Sequence, residues 1–503
     1  MKSLDIVVRI ANRTRNLTLL TLGLITFQQD LAAARTLRVP NDATTLQAAI
    51  DAAVVGDQIL VAPGTYTGAG NKNLTMGDKD LVIRSEGGPE VTILDLQGTG
   101  RAFFLVGPYT RSAIVEGFTI AYGDGNQDLL GGGGMFIGGG SPTIRRCVFR
   151  KNQAPSANFT GGGGGLACQN SGALIEDCEF IQNSVVRTIG AVGGGLAAYD
   201  SAIEVRRCRF VENQAPTGGG GGGGVYIHRF SIEPEPTTIF ESCEFIGNVT
   251  NSGGGGANLM GARLTGCVFT GNQARGGGGV TLMDSEMTDC TISGNTAVQD
   301  GGGVTSSGSD LVRCVITENT AGRWGGGLIV HQEGHVEQTL ISDNTAGVGG
   351  GIFVFGPTST VEHCTIVRNR APQSSGIAYP NSNLGSHGIE ATIVAYGVGG
   401  VAIDCAWPNV TASCCDLFGN EGGDWTGCLA DEPGTNGNFS ADPRFCGLGQ
   451  GKDEFTLAAN SPCLPGNHPQ GANCGIIGSE GEGCAALAVE ATTWGTIKNR
   501  YQK

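Results

Sequence analysis

The chain has 503 residues, 87 of them glycine, with 40% hydrophobic residues, 15% charged residues and a formal net charge of −15. Glycine at more than twice its usual share of about 7% excludes an ordinary helical enzyme, the apolar content excludes an acidic disordered chain, and the lack of a three-residue glycine period excludes collagen. A glycine-punctuated β-architecture remains, in which a regular repeat extends one domain because each unit touches only its neighbours.

Residues 1–34 read as a secretory signal. Lys2, Arg9, Arg13 and Arg15 form a basic start, residues 17–27 an apolar stretch too short to span a bilayer, and Ala32, Ala33 and Ala34 a small-residue cleavage point. Its removal takes away four basic and two acidic side chains and leaves a charge of about −17. That balance disfavours nucleic acid as a partner. No later window approaches 18 consecutive apolar residues, so the mature chain is expected to carry no membrane span and to be secreted or held at the cell surface.

Residues 35–130 read as an N-terminal cap and the first turns of a rod. Residues 45–54 are amphipathic, with Leu46, Ala49 and Ile50 on one side and Thr44 or Thr45 as N-cap, which predicts a short helix over the open end of the stack. Strand-like runs follow at 58–62, 80–84, 91–94, 102–106 and 113–120.

Residues 131–371 carry the repeat. Cys147, Cys178, Cys208, Cys243, Cys267, Cys290, Cys314 and Cys364 each precede an asparagine by five residues, namely Asn152, Asn183, Asn213, Asn248, Asn272, Asn295, Asn319 and Asn369; Asn344 ends a further copy with Thr339 in the cysteine position. Phe or Ile stands three residues before each Asn, an apolar residue eight before it, and usually Ala two after it. Glycine runs and apolar pairs such as Val280 and Leu282 lie between copies. Short period-two strands with no helix bury their apolar face only by stacking, so like residues of successive turns lie about 4.8 Å apart in parallel ladders. The fold class expected is all-β, a right-handed parallel β-helix, in which the nine copies make roughly 43 Å of rod. The asparagines form a structural ladder at a corner that tolerates an unusual backbone angle, the glycines make the other corner, and the repeat cysteines pack as small hydrophobes. Outside, Arg145-Arg146, Glu176-Asp177, Arg206-Arg207 and Glu241-Ser242 alternate in sign, which reads as an ion ladder rather than a polyanion groove.

Residues 372–484 contain the last turns and a cysteine-rich cap, followed by a tail at 485–503. A Pro/Ser/Asn-rich loop is expected at 372–387 and a strand at 389–395. Cys405, Cys414, Cys415, Cys428, Cys446, Cys463, Cys474 and Cys484 are the disulfide candidates, with 105 pairings open. Cys168 fits neither population.

Two constellations suggest ligands. Asp124, Asn126 and Asp128 alternate oxygen donors like the start of a calcium loop, although Met135 stands where the later bidentate acid belongs; Ca²⁺ is the only cofactor the chain suggests. His331, Glu333, His335 and Glu337 share one parity, which an unbroken strand would place on one face, with Gly334 as the expected break. Residues added to the early copies, at 155–160, 184–192 and 229–238, mark the side where binding gathers in a solenoid. Beside them Tyr199, Tyr226 and His228 are candidates to offer ring faces to a sugar.

The run Thr45-Leu-Gln-Ala-Ala-Ile-Asp-Ala-Ala, with Gly56-Asp57 and Val61-Ala-Pro-Gly-Thr-Tyr66, resembles the opening of pectin-lyase-like right-handed β-helix proteins. The Gly-Gly-aliphatic and Phe-x-x-Asn repeats are similar to those of chlamydial polymorphic membrane proteins. The first resemblance implies a polysaccharide lyase or hydrolase as one function, but of that group's local catalytic motifs only His387-Gly388 is present, so no catalytic residue is carried over. The function expected is therefore a non-catalytic exported rod for adhesion or glycan binding, with extracellular polysaccharide or cell-surface glycan as partner, and the enzyme is the alternative.

Overall fold

The computed structural model describes residues 34–486 apart from 126–129, 156–161, 187–191, 217–219, 231–237, 381–384, 406–408 and 448–450. The segment read as a signal, apart from Ala34, therefore lies outside the described residues, as do parts of all three insertions. From Thr36 onward the backbone winds into a solenoid whose turns each add one short strand to long parallel sheets. The first sheet has fifteen strands, from Thr36–Val39 to Val410–Ser413; the second has fourteen, from Gly64–Tyr66 to Asp416–Phe418; the third has twelve, from Phe103–Val106 to Val398–Cys405. A shorter seven-stranded sheet, from Gln153–Pro155 to Thr320–Ala321, follows the second in the middle turns. Among the described residues no helix is long and apolar enough to cross a membrane.

The five-residue Cys-to-Asn spacing becomes geometry in each turn. Ile144, Cys147 and Phe149 point inward with no exposure, and each stands beside its counterpart in the neighbouring turns. The phenylalanines form a stack: Phe149–Phe180 and Phe180–Phe210 ring centroids are 4.8 Å apart and Phe245–Phe269 4.3 Å, with planes within 8°. The separation is that of adjacent strands, so the backbone ladder sets the ring stacking.

The unusual backbone angle falls on the residue before each ladder asparagine rather than on the asparagine itself. Lys151, Gln182 and Glu212 adopt φ of 54°, as do Arg146, Asp177 and Arg207 at 50–52° just before the cysteines. These exposed long side chains take the bend, which frees the next residue to point into the core. The asparagines are fully buried. Asn183 shows the pattern: its Oδ1 accepts from both the backbone N and the Nδ2 of Asn152, each at 3.0 Å, while its own Nδ2 donates to Asn213 Oδ1 at 3.0 Å and to Phe149 O at 2.8 Å. A buried amide whose oxygen and nitrogen are both engaged carries no desolvation penalty for an orphaned group.

The ladder runs further than the repeats suggest. Gly397 occupies the next asparagine position and donates to Asn420 Oδ1 at 3.0 Å, and Asn420 Nδ2 reaches Val394 O at 2.9 Å. Cys415, five residues before Asn420, is accordingly a buried ladder thiol and not a bridge partner.

Glycine is required where two walls meet. Gly277 and Gly301 adopt φ of 61° and 65°, and a Cβ on Gly278 would overlap the carbonyl oxygen of Gly302 and the backbone of Thr296. The glycine runs thus lie directly against the opposite corner.

Near the start, the helix spans Leu46–Ala52, with Thr45 Oγ1 accepting from Ala48 N at 3.2 Å. Leu46, Ala49 and Ile50 join Val39 and Ile59 in the main core. The outer charges pair between turns: Arg145 and Arg146 both reach Glu116 at 2.8 and 2.9 Å, and Arg207 reaches Glu176 at 2.6 Å and Asp177 at 2.7 Å.

The C-terminal region departs from expectation in three ways. Instead of a loop at 372–387, Arg370–Tyr379 is a ten-residue strand of the third sheet; its register shifts absorb Pro372, and Ser374 and Ser375 are satisfied through Ile377 O and Gly400 O. Only six of the eight candidate cysteines pair, as Cys405–Cys428, Cys414–Cys474 and Cys446–Cys484. Cys463 is a buried free thiol against the carboxylate of Asp416, at 3.3 Å. Finally, the cap closes more than the end of the stack. Leu429 with Trp425 and Cys428 packs on the main core, but Phe439, Phe445, Phe455, Leu457 and Ile477 form a second cluster with Leu340, Val367 and Ile393 on the outer side of the second sheet. Arg368 clamps this folded-back segment, bonding Asp343 at 2.7 Å and Glu454 at 2.5 Å beneath the Phe455 ring.

Candidate functional site

Alternation in the third sheet sends every second residue outward. Val225 and Ile227 are in the core, so Tyr226 and His228 face out, and the parallel register places Tyr226, Asn258, Thr281, Thr305, Ile329 and Phe353 in one row along the rod. Consecutive members are about 4.8 Å apart.

The lower end of this row is aromatic. The Tyr226 and His228 rings lie 5.9 Å apart with planes 11° from parallel, Tyr199 and Phe230 lie 6.3 Å apart at 11°, and Phe230 meets His228 edge-on at 4.7 Å. Tyr199 is buried and supports the cluster, whereas Phe230 is 57% exposed and forms its outer surface. Asp200 Oδ1 fixes Phe230 by accepting from its backbone N at 2.8 Å. Phe230 was not among the sequence candidates, although it continues the parity of Tyr226 and His228. Burial pushes the His228 pKa below its ordinary value against the opposing pull of Asp200, so the imidazole is neutral at neutral pH.

Further along the row a groove of about 480 Å³ opens between the third sheet and the seven-stranded sheet, lined by Arg275, Thr281, Gln299, Asp300, Thr305 and His331 among others. Arg323 holds Asp300 through both carboxylate oxygens at 2.8 and 2.5 Å, and its guanidinium lies 3.9 Å from the centre of the Trp324 ring. Trp324 stacks on Phe353 at 5.0 Å. Arg275 Nε donates to Gln299 Oε1 at 3.0 Å. Burial lowers the pKa of His331. Asn258 Oδ1, Thr281 Oγ1 and Thr305 Oγ1 are buried atoms without a hydrogen-bond partner among the described residues.

The four residues of shared parity do not form one site. His331 belongs to the groove just described, while His335 and Glu337 lie in the first-sheet strand Gly334–Glu337, and His335 lines a second groove of about 770 Å³ with Asp284, Asp310 and Glu333. There His335 Nδ1 is 2.6 Å from Thr360 Oγ1 and Nε2 3.3 Å from Glu337 Oε2. Of the calcium-like triplet, Asp124 bridges Gly100 and Gln153 through its backbone, and Asn126 and Asp128 lie outside the described residues. Among the described residues no three His, Cys, Asp or Glu side chains are grouped to hold a metal ion.

Residues 108–274 match the family model of the right handed beta helix region. No curated protein matches the chain in sequence. Among solved structures, the right-handed β-helix is similar to the Azotobacter vinelandii mannuronan C-5 epimerase AlgE6 A-module, at 16% identity over 79% of this chain and 94% of that one, with a TM-score of 0.33. It is also similar to the catalytic unit of a GH87 alpha-1,3-glucanase from Streptomyces thermodiastaticus, at 13% identity over 76% and 67% of the two chains and a TM-score of 0.35. The Siphovirus 9NA tailspike receptor binding domain matches at 12% identity over 81% and 75%, with a TM-score of 0.27.

Proposed function

We propose that the protein is an exported β-helix rod that binds extracellular polysaccharide or cell-surface glycan along the outer face of its third sheet, without turning it over. The observation that carries this reading is the cluster of Tyr226, His228 and Phe230, rings presented outward on a rigid sheet with Phe230 more than half exposed. Neutral aromatic faces stack on the apolar faces of sugar rings, and a rigid support lowers the ordering cost of binding. The insertion at 184–192 ends at Val192, which packs with Tyr199 and Tyr226, and the one at 229–238 begins beside Phe230 of the cluster. The mature charge of about −17 works against unaided capture of a strongly acidic polymer.

Affinity electrophoresis of the mature protein through gels containing uronan or neutral polysaccharides, with assays for unsaturated products and new reducing ends, tests the reading. Retardation without product is expected, and Tyr226→Ala with Phe230→Ala should weaken it about tenfold, or about 1.4 kcal/mol. Turnover abolished by substitutions along these turns would replace the rod with an enzyme.

A further inference from the structure

We infer that the groove beyond the aromatic cluster is a subsite for an uncharged polyhydroxyl chain, a neutral polysaccharide whose successive hydroxyls meet Asn258, Thr281 and Thr305. This rests on the glycan-binding reading above and names the class of ligand.

Three neighbouring turns each place one side-chain oxygen without a partner among the described residues, in strict register with Tyr226. Asn258 is only 6% exposed, and its Nδ2 already donates to Gly220 O, which leaves Oδ1 as a buried acceptor with nothing to accept. Buried polar atoms in folded proteins are nearly always paired, so a row of three that are not is a departure with a cost to the free protein. Thr281 and Thr305 line the groove, and Gly253, another lining residue, lies beside both Thr281 and Asn258. A threonine hydroxyl both donates and accepts and reaches the groove by rotation about one side-chain bond. Two such hydroxyls and the Asn258 amide oxygen, repeating at the spacing of the turns, suit a polymer with a hydroxyl at each step.

The charges argue for a neutral chain. Both oxygens of Asp300 are taken by Arg323, whose guanidinium is itself stacked on Trp324; Arg275 is turned to Gln299. His331 is held neutral by burial. The groove therefore offers hydrogen-bonding groups with its acid internally compensated, in a molecule whose overall field repels polyanions.

The test measures affinity of the mature protein for a soluble glucan, a soluble mannan, alginate and polygalacturonate, together with thermal melting. In Thr281→Val/Thr305→Val the unpartnered hydroxyls are replaced by methyls of the same shape, so melting should be unchanged or raised while affinity for glucan or mannan falls about tenfold or more. Thr281→Ser/Thr305→Ser keeps the hydroxyls and should keep the affinity. Undiminished neutral-glycan binding by the valine variant overturns the inference. So does binding of the uronans alone, which leaves the glycan-binding rod standing; binding of none of the four overturns both.

Discussion

Each ladder asparagine is held in both directions along the rod, and this makes its replacement more costly than that of an ordinary buried amide. Asn295 accepts two bonds from Asn272 at 2.9 Å and donates to Asn319 Oδ1 at 2.9 Å and Phe269 O at 3.0 Å. Asn295→Ala leaves two buried donors of Asn272 without an acceptor, a loss on the order of 3 kcal/mol. Val298→Ala, at a position 74% exposed, serves as the control and should stay within about 0.5 kcal/mol. Urea unfolding followed by circular dichroism checks both, and equal effects would show that the ladder contributes nothing beyond its backbone. The spacing that identifies these asparagines was legible because every copy repeats it. Asn420 and Cys415 keep the same five-residue spacing but are cut off from the series by Gly397, so a search by recurrence stops at Asn369.

Among elements, the folded-back C-terminal segment differs from the turns it covers, because it is tied to them by side chains and disulfides rather than by sheet ladders. Cys414–Cys474 spans 60 residues and joins the edge of the first sheet to the segment that carries Ile477. In Cys414→Ala/Cys474→Ala the bridge no longer limits the open ensemble, which should lower the stability of this region by about 2–5 kcal/mol. Hydrogen exchange should rise across residues 439–484 and at the second-sheet strands Leu340–Ser342 and Thr365–Val367, with protection of the turns before residue 270 unchanged, since units in a solenoid are coupled chiefly to their neighbours. A uniform rise along the rod would mean that the segment governs the whole fold. Its docking face is visible in hindsight: outward positions of the second sheet occupied by Arg209 and Glu244 in earlier turns become Val315, Leu340 and Ile393 in later ones. An apolar residue in an outward position does not by itself say which distant segment covers it.

For the whole molecule, 17 cysteines could staple a chain throughout, yet this one keeps eleven buried free thiols and confines its three disulfides to the C-terminal region. Thiol titration without reductant should find almost none reactive in the native protein and eleven after denaturation; each bridge formed within the ladder would lower that count by two. The sequence by itself determined the repeat and its inward residues, because in a stacked solenoid the partner of each residue is the same position one turn away, and spacing along the chain therefore encodes contact in space. It also singled out Tyr199, Tyr226 and His228, which follow glycine runs beside the inserted segments. Tertiary structure alone decided which outward residues meet solvent and which meet the returning C-terminal segment, how six cysteines pair, and that Thr281 and Thr305 stand in register with Tyr226 beside a groove. Those outcomes depend on the turn between strands and on where a non-repeating segment comes to rest, and neither follows from periodicity.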